Sequence, residues 1–135
     1  MKTTLTTILI LITLSGFTQP LMVGFRKSDV IANMRNSQGF YRTVRAKDYL
    51  EYQRGERAYG FRFERDSLNL YRGKWICSEY YVTLLPADEV HYLPYIIIMN
   101  NLKQVSENTW ECNAVYDTVT VTRIASDEEV TFVWR

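Results

Sequence analysis

The sequence predicts an α+β fold: an antiparallel sheet of roughly six to eight strands, with one short N-terminal helix and one longer central helix packed on it. Three observations carry this expectation. After residue 40 apolar and polar residues alternate through most of the chain, the period of a half-buried strand. The stretches between alternating segments are a few residues long, which allows antiparallel hairpins and excludes parallel crossovers. Two segments, at 28–38 and 86–105, change to the 3.6-residue period of a helix. Strands in runs with segregated helices place the helices on one face of the sheet.

The first segment speaks to compartment. Met1-Lys2 is a short basic start, residues 5–14 (LTTILILITL) are uncharged and apolar, and Ser15, Gly16 and Thr18 are small. That order is the order of a secretory signal. The apolar run is shorter than the ~20 residues a membrane span needs. The expectation is a signal peptide over 1–18, cleaved after Thr18, and a single domain over 19–135. The product is periplasmic or secreted, with no stable transmembrane anchor after cleavage. Removing 18 of the 135 residues leaves 117 and takes Lys2 away, so the formal charge falls from +1 to 0. A domain of that size buries ~65% of its unfolded surface and folds alone.

Next comes the short helix. Ser28 suits an N-cap and Asp29 the first turn. Val30, Ile31 and Met34 share one face, and Gly39 supplies a left-handed stop. Strands are expected at 40–46, 48–53, 57–64, 68–72 and 75–84. Gln53-Arg54-Gly55-Glu56, Asp66-Ser67 and Arg72-Gly73 are the turns between them. In the third strand Tyr59, Phe61 and Phe63 point inward, and Gly60, Arg62 and Glu64 point to solvent. Pro86 opens the second helix. Ile97, Ile98, Asn101, Leu102 and Val105 carry its period to about residue 105, with Pro94 expected to kink it or delay its start. Strands follow at 109–116, 118–124 and 129–134. Val130, Phe132 and Trp134 alternate in the last of these, which is expected to be paired rather than frayed.

Composition excludes several functions. At 47% hydrophobic and 14% aromatic residues, the chain is too apolar to be disordered. A net charge of +1 argues against nucleic-acid binding by bulk electrostatics. One histidine and two cysteines remove most metal sites, so no metal and no cofactor is expected. There is no phosphate loop, dinucleotide fingerprint, C-x-x-C or G-x-S-x-G. His91, near Asp88 and Glu89, is the candidate base for hydrolysis of an envelope substrate, but no marked nucleophile accompanies it.

Two features remain. Trp75-Ile76-Cys77 and Trp110-Glu111-Cys112 repeat W-x-C, so each Trp shares a strand face with its Cys. If the two strands are neighbours, Cys77 and Cys112 form a disulfide after export; otherwise they pack as small apolar groups. Charge also divides the chain. Residues 26–74 hold 12 Lys+Arg against 6 Asp+Glu, and residues 75–135 hold 3 against 9. Interleaving of the two halves in space, each neutralising the other, is the favoured expectation. The alternative is a basic face of Arg42, Arg45, Arg62 and Arg65 that meets an envelope component or protein with acidic groups.

Gly24-x-x-x-Ser28-Asp29-Val30 resembles the opening of the first helix in β-lactamase-inhibitor-protein-like domains and related outer-membrane-assembly lipoproteins. The likeness spans about seven residues; Arg26 stands where that family usually has Thr or Ser, and its lipid-acceptor Cys is missing. The wider pattern also resembles uncharacterised exported bacterial proteins. The resemblance implies a helix-on-sheet envelope module that works by binding. The functional expectation is therefore an exported, non-enzymatic binding or accessory protein, with an envelope hydrolase using His91 or an immunity-type protein inhibitor as the alternatives.

Overall fold

The strands that follow the alternating segments form a single antiparallel sheet. The computed structural model describes residues 22–66, 74–113 and 118–135. Helix α1 (Lys27–Asn36) precedes β1 (Tyr41–Arg45), β2 (Tyr49–Arg54), β3 (Arg57–Arg65) and β4 (Trp75–Leu84). Helix α2 (Pro86–Asn100) precedes β5 (Lys103–Ser106), β6 (Thr109–Asn113), β7 (Thr118–Ala125) and β8 (Val130–Trp134). The spatial order is β1-β2-β3-β4-β8-β7-β6-β5, with every neighbouring pair antiparallel. The α+β expectation holds. The strand expected at 68–72 lies outside the described residues, and β5 replaces the end of the expected second helix.

The order helix–four strands occurs twice. Its two copies lie side by side, joined where the last strand of each pairs antiparallel: Tyr80 with Trp134, Val82 with Phe132, Leu84 with Val130. That arrangement gives an approximate two-fold axis normal to the sheet between β4 and β8. The chain's final strand is thus paired on both sides.

Alternation puts Tyr59, Phe61, Phe63, Val82, Phe132 and Val121 on one face, all nearly or fully buried. Val30 and Met34 of α1 and Ile96 of α2 belong to the same core. Phe61 stacks on Tyr80 with ring centroids 5.0 Å apart. A bulge in β4 keeps this pattern in step. Phe63 faces Cys77 and Arg62 faces Glu79, so Ser78 is the extra residue. Cys77 and Tyr80, an odd number of residues apart, consequently both point inward.

Both helices differ from expectation at their ends. Segment 24–26 runs along β4 beyond the end of β8: the Gly24 N–H donates to the Cys77 carbonyl (2.8 Å) and the Cys77 N–H to that of Phe25 (2.7 Å). The helix begins where the backbone leaves this pairing, so Arg26, not Ser28, is the N-cap. Its carbonyl accepts from the Asp29 and Val30 N–H groups, while its guanidinium pairs with Asp29 at 2.9 Å. At the other end of α1, Gly39 (φ +85) turns the chain two residues after the cap at Ser37.

Helix α2 starts at Pro86 and continues through Pro94, so the expected delay does not occur. Pro94 removes the bond to the Val90 carbonyl, and both residues lie on the exposed side of the helix. The helix stops at Asn101, which adopts the left-handed conformation (φ 52, ψ 48). The Leu102 N–H then returns to the Ile97 carbonyl at 3.0 Å. Asn tolerates this conformation because its short amide bonds locally. Val105 therefore lies on β5, not on the helix. Among the described residues no helix is long and apolar enough to cross a membrane.

Candidate functional site: a basic corner beside Trp75

Four elements converge at one corner of the sheet. Lys27 opens α1, and its ammonium donates to the carbonyls of Ala46 (3.1 Å) and Lys47 (2.9 Å), which fastens the helix to the β1–β2 turn. The same Nζ lies 5.7 Å from the centre of the Phe63 ring. Trp75 opens β4 opposite Arg65 of β3. Its ring takes Lys47 at 5.7 Å and Arg65 at 5.4 Å, each a cation–π contact of ~0.5–1 kcal/mol at an exposed site.

Arg42 and Arg45 pair with Tyr52 and Leu50, whose side chains point to the helix-covered side of the sheet. The two guanidiniums therefore rise on the side where Lys27 sits. Burial, then the charges of Arg45 and Arg42, hold the Lys27 ammonium below its ordinary pKa, with Asp48 opposing them. Like charges held this close favour an incoming anion, because it relieves their mutual repulsion. The planar guanidinium fork suits carboxylate and phosphate.

Of the four expected arginines, Arg42, Arg45 and Arg65 meet here. Arg62 does not. It projects from the opposite, open face in a row that runs Tyr49, Arg62, Glu79 across β2, β3 and β4. Glu79 accepts from Arg135 at 3.0 Å and from the Tyr81 hydroxyl. Arg62 thus belongs to an alternating row of charges. Lys27, Lys47 and Trp75 are the members that sequence reasoning missed. No spacing links positions 27, 47, 65 and 75; only the β1–β2 turn and the β3–β4 register bring them together.

The disulfide expectation is overturned. β8 and β7 lie between β4 and β6, so Cys77 and Cys112 stand three strand spacings apart, ~14 Å at ~4.8 Å each. A bridge requires Cα atoms within ~7 Å. Both thiols are free and buried. Burial pushes Cys77 up to about 12, with its sulfur 3.4 Å from the Glu79 carbonyl oxygen, and raises Cys112 as well. The connection after β4 leads to the far edge of the sheet, not to its neighbour, which is why the two W-x-C segments do not meet.

The charged halves interleave only along the β3–β4 seam, where Arg62 faces Glu79; elsewhere the topology keeps them apart. The sheet order keeps β1–β3 on one side and β5–β8 on the other. The ion pairs Arg26–Asp29, Arg123–Glu89 and Arg135–Glu79 each join residues of one half. Diagonally across from the basic corner, Arg123 holds Glu89 at 2.7 Å and Asn108 at 3.4 Å, beside Glu107. The adjacent β7–β8 turn exposes Asp127, Glu128 and Glu129.

His91 lies exposed on the outer side of α2, and among the described residues no hydrogen bond reaches its ring. Among those residues there is also no group of three or more side chains able to hold a metal ion. Comparison with protein-family models, curated proteins and solved structures finds no match to this chain.

Proposed function

We propose that this chain is an exported, non-enzymatic binding protein whose basic corner engages a partner carrying carboxylate or phosphate groups. The observation that carries the reading is the convergence of Lys27, Arg42, Arg45, Lys47 and Arg65 on one side of the sheet beside a partly exposed Trp75. The guanidiniums supply charge and forked donors. Trp75 holds two of the cations in place, which lowers the entropy lost on binding. Export rests on the basic start and apolar run of residues 1–18.

The test is a titration with poly-glutamate at low salt, read by intrinsic tryptophan fluorescence. The native chain binds with an affinity that falls steeply with salt. Arg45→Glu with Lys47→Glu abolishes binding, whereas Arg62→Glu on the open face leaves it within about twofold. Equal effects of the two changes, or no binding by the native chain, overturn the reading. The mature N-terminus, read by mass spectrometry, is expected near Gln19.

A further inference from the structure

The repeat of helix and four strands has an electrostatic consequence. The approximate two-fold axis between β4 and β8 makes the β1–β2 turn equivalent to the β5–β6 turn, and the end of β3 equivalent to the end of β7, from which the β7–β8 turn begins. The first set carries Arg45, Lys47 and Arg65 against Asp48. The second carries Glu107, Asp127, Glu128 and Glu129, and its nearby Arg123 is engaged by Glu89. Corresponding corners of one architecture thus bear opposite charge and sit at diagonally opposite ends of the sheet. A single molecule has no means of bringing them together, because the sheet lies between them.

Building on the proposed function, we infer that the acidic partner of the basic corner is the acidic corner of a second copy of this chain. Charge complementarity selects the occupant. The receiving corner is built on the β1–β2 turn and the end of β3 and presents exposed cations; the incoming corner is built on the β5–β6 and β7–β8 turns and presents exposed carboxylates. A formal net charge of +1 leaves little overall repulsion between copies. The contact joins two different surfaces, so it is heterologous and repeats from copy to copy. Its charges are exposed, so it is weak and sensitive to salt.

Sedimentation velocity of the native chain tests this. At low ionic strength the weight-average mass rises with concentration into the range of about 100 μM, and it returns to the monomer at about 0.3 M salt, where the Debye length has shrunk well below ~10 Å. Arg45→Glu with Lys47→Glu leaves two acidic corners and weakens association at least about tenfold. Asp127→Lys with Glu128→Lys leaves two basic corners and does the same. Mixing the two variants restores assembly to within about threefold of native, because an unaltered acidic corner meets an unaltered basic one. All four side chains are exposed, and unchanged melting curves show that the variants fold.

A monomer at every concentration in low salt overturns the inference, as does association that survives the acidic-corner change or a mixture that stays monomeric. The proposed function fails separately. Poly-glutamate binding without self-association rejects the second copy and keeps the basic corner as a binding site. Loss of poly-glutamate binding rejects both.

Discussion

Phe132 sits where the two halves join, and Phe132→Ala tests whether they form one cooperative unit. The side chain is 0% exposed. It lies opposite Val82 across the β4–β8 pairing, and its ring centre is 5.1 Å from that of Tyr92 on α2. Removing a buried Phe ring costs ~3–5 kcal/mol through lost transfer energy and the cavity left behind. Loss of the aromatic pair contributes within that range, ~0.5–1.5 kcal/mol by itself. A domain of this size has a total stability of ~5–15 kcal/mol, so the change removes from about a fifth of it to essentially all of it. At ~4 °C per kcal/mol the melting temperature falls by ~12–20 °C. Urea unfolding followed by tryptophan fluorescence is the assay, since Trp75, Trp110 and Trp134 report from β4, β6 and β8. Native and variant chains both show a single transition. Ile124→Ala, at a side chain 59% exposed, stays within ~0.5 kcal/mol as the control. A loss below ~1 kcal/mol, or two separated transitions in the native chain, refutes the reasoning that the β4–β8 junction fuses the halves into one core.

Three further outcomes are expected. Oxidation leaves the mass of the folded protein unchanged under non-reducing conditions, and a reducing agent leaves the melting temperature unchanged; a loss of two hydrogens would contradict the ~14 Å separation of Cys77 and Cys112 drawn from strand spacing. Stability declines as pH rises from about 9 toward 12. Burial raises Cys77 and Tyr49 to about 12 from ordinary values of 9.0 and 10.0, so the native state keeps their protons after the unfolded chain has released them. Their contribution is intact below pH 9, and a flat melting temperature from pH 9 to 12 would contradict it. Finally, Asn101→Ala destabilises by ~1 kcal/mol because its φ of 52° penalises a Cβ without a local amide bond, whereas Asn101→Gly does not; chemical denaturation compares the two.

Much of the local structure was legible from residue order. Tyr59, Phe61 and Phe63 alternate and do face the core. The short turns forced antiparallel neighbours, and β4 spans 75–84 as its wealth of Trp, Tyr, Ile and Val indicated. At the misjudged positions the residue pattern admitted two local structures, and the surrounding backbone chose between them. Residues 97–105 fit a helical period throughout, yet Asn101 turns left-handed and frees Val105 for a strand. Ser28 is a good cap, but the backbone of 24–26 is committed to β4 and sets the cap two residues earlier, at Arg26.

The binding corner was half legible. Arg42, Arg45 and Arg65 stood out as part of a basic half, and the parity of β3 set Arg62 on the opposite face from Phe63 and Arg65, but nothing in their spacing named Lys27, Lys47 or Trp75. Side-chain direction repeats every two residues along a strand, and a sequence states that parity within one strand. It does not state how strands far apart in the chain stand beside one another. Here that order is decided by β8 entering beside β4, a pairing between residues about fifty positions apart. The amino-acid order by itself determined periods, turns, the face of each strand and the imbalance of charge between halves. The tertiary structure alone decided that the cysteines stay apart, that the charged halves meet only along the β3–β4 seam, and that a basic and an acidic corner occupy equivalent places, because partner choice among strands depends on burying one shared core and not on any local preference.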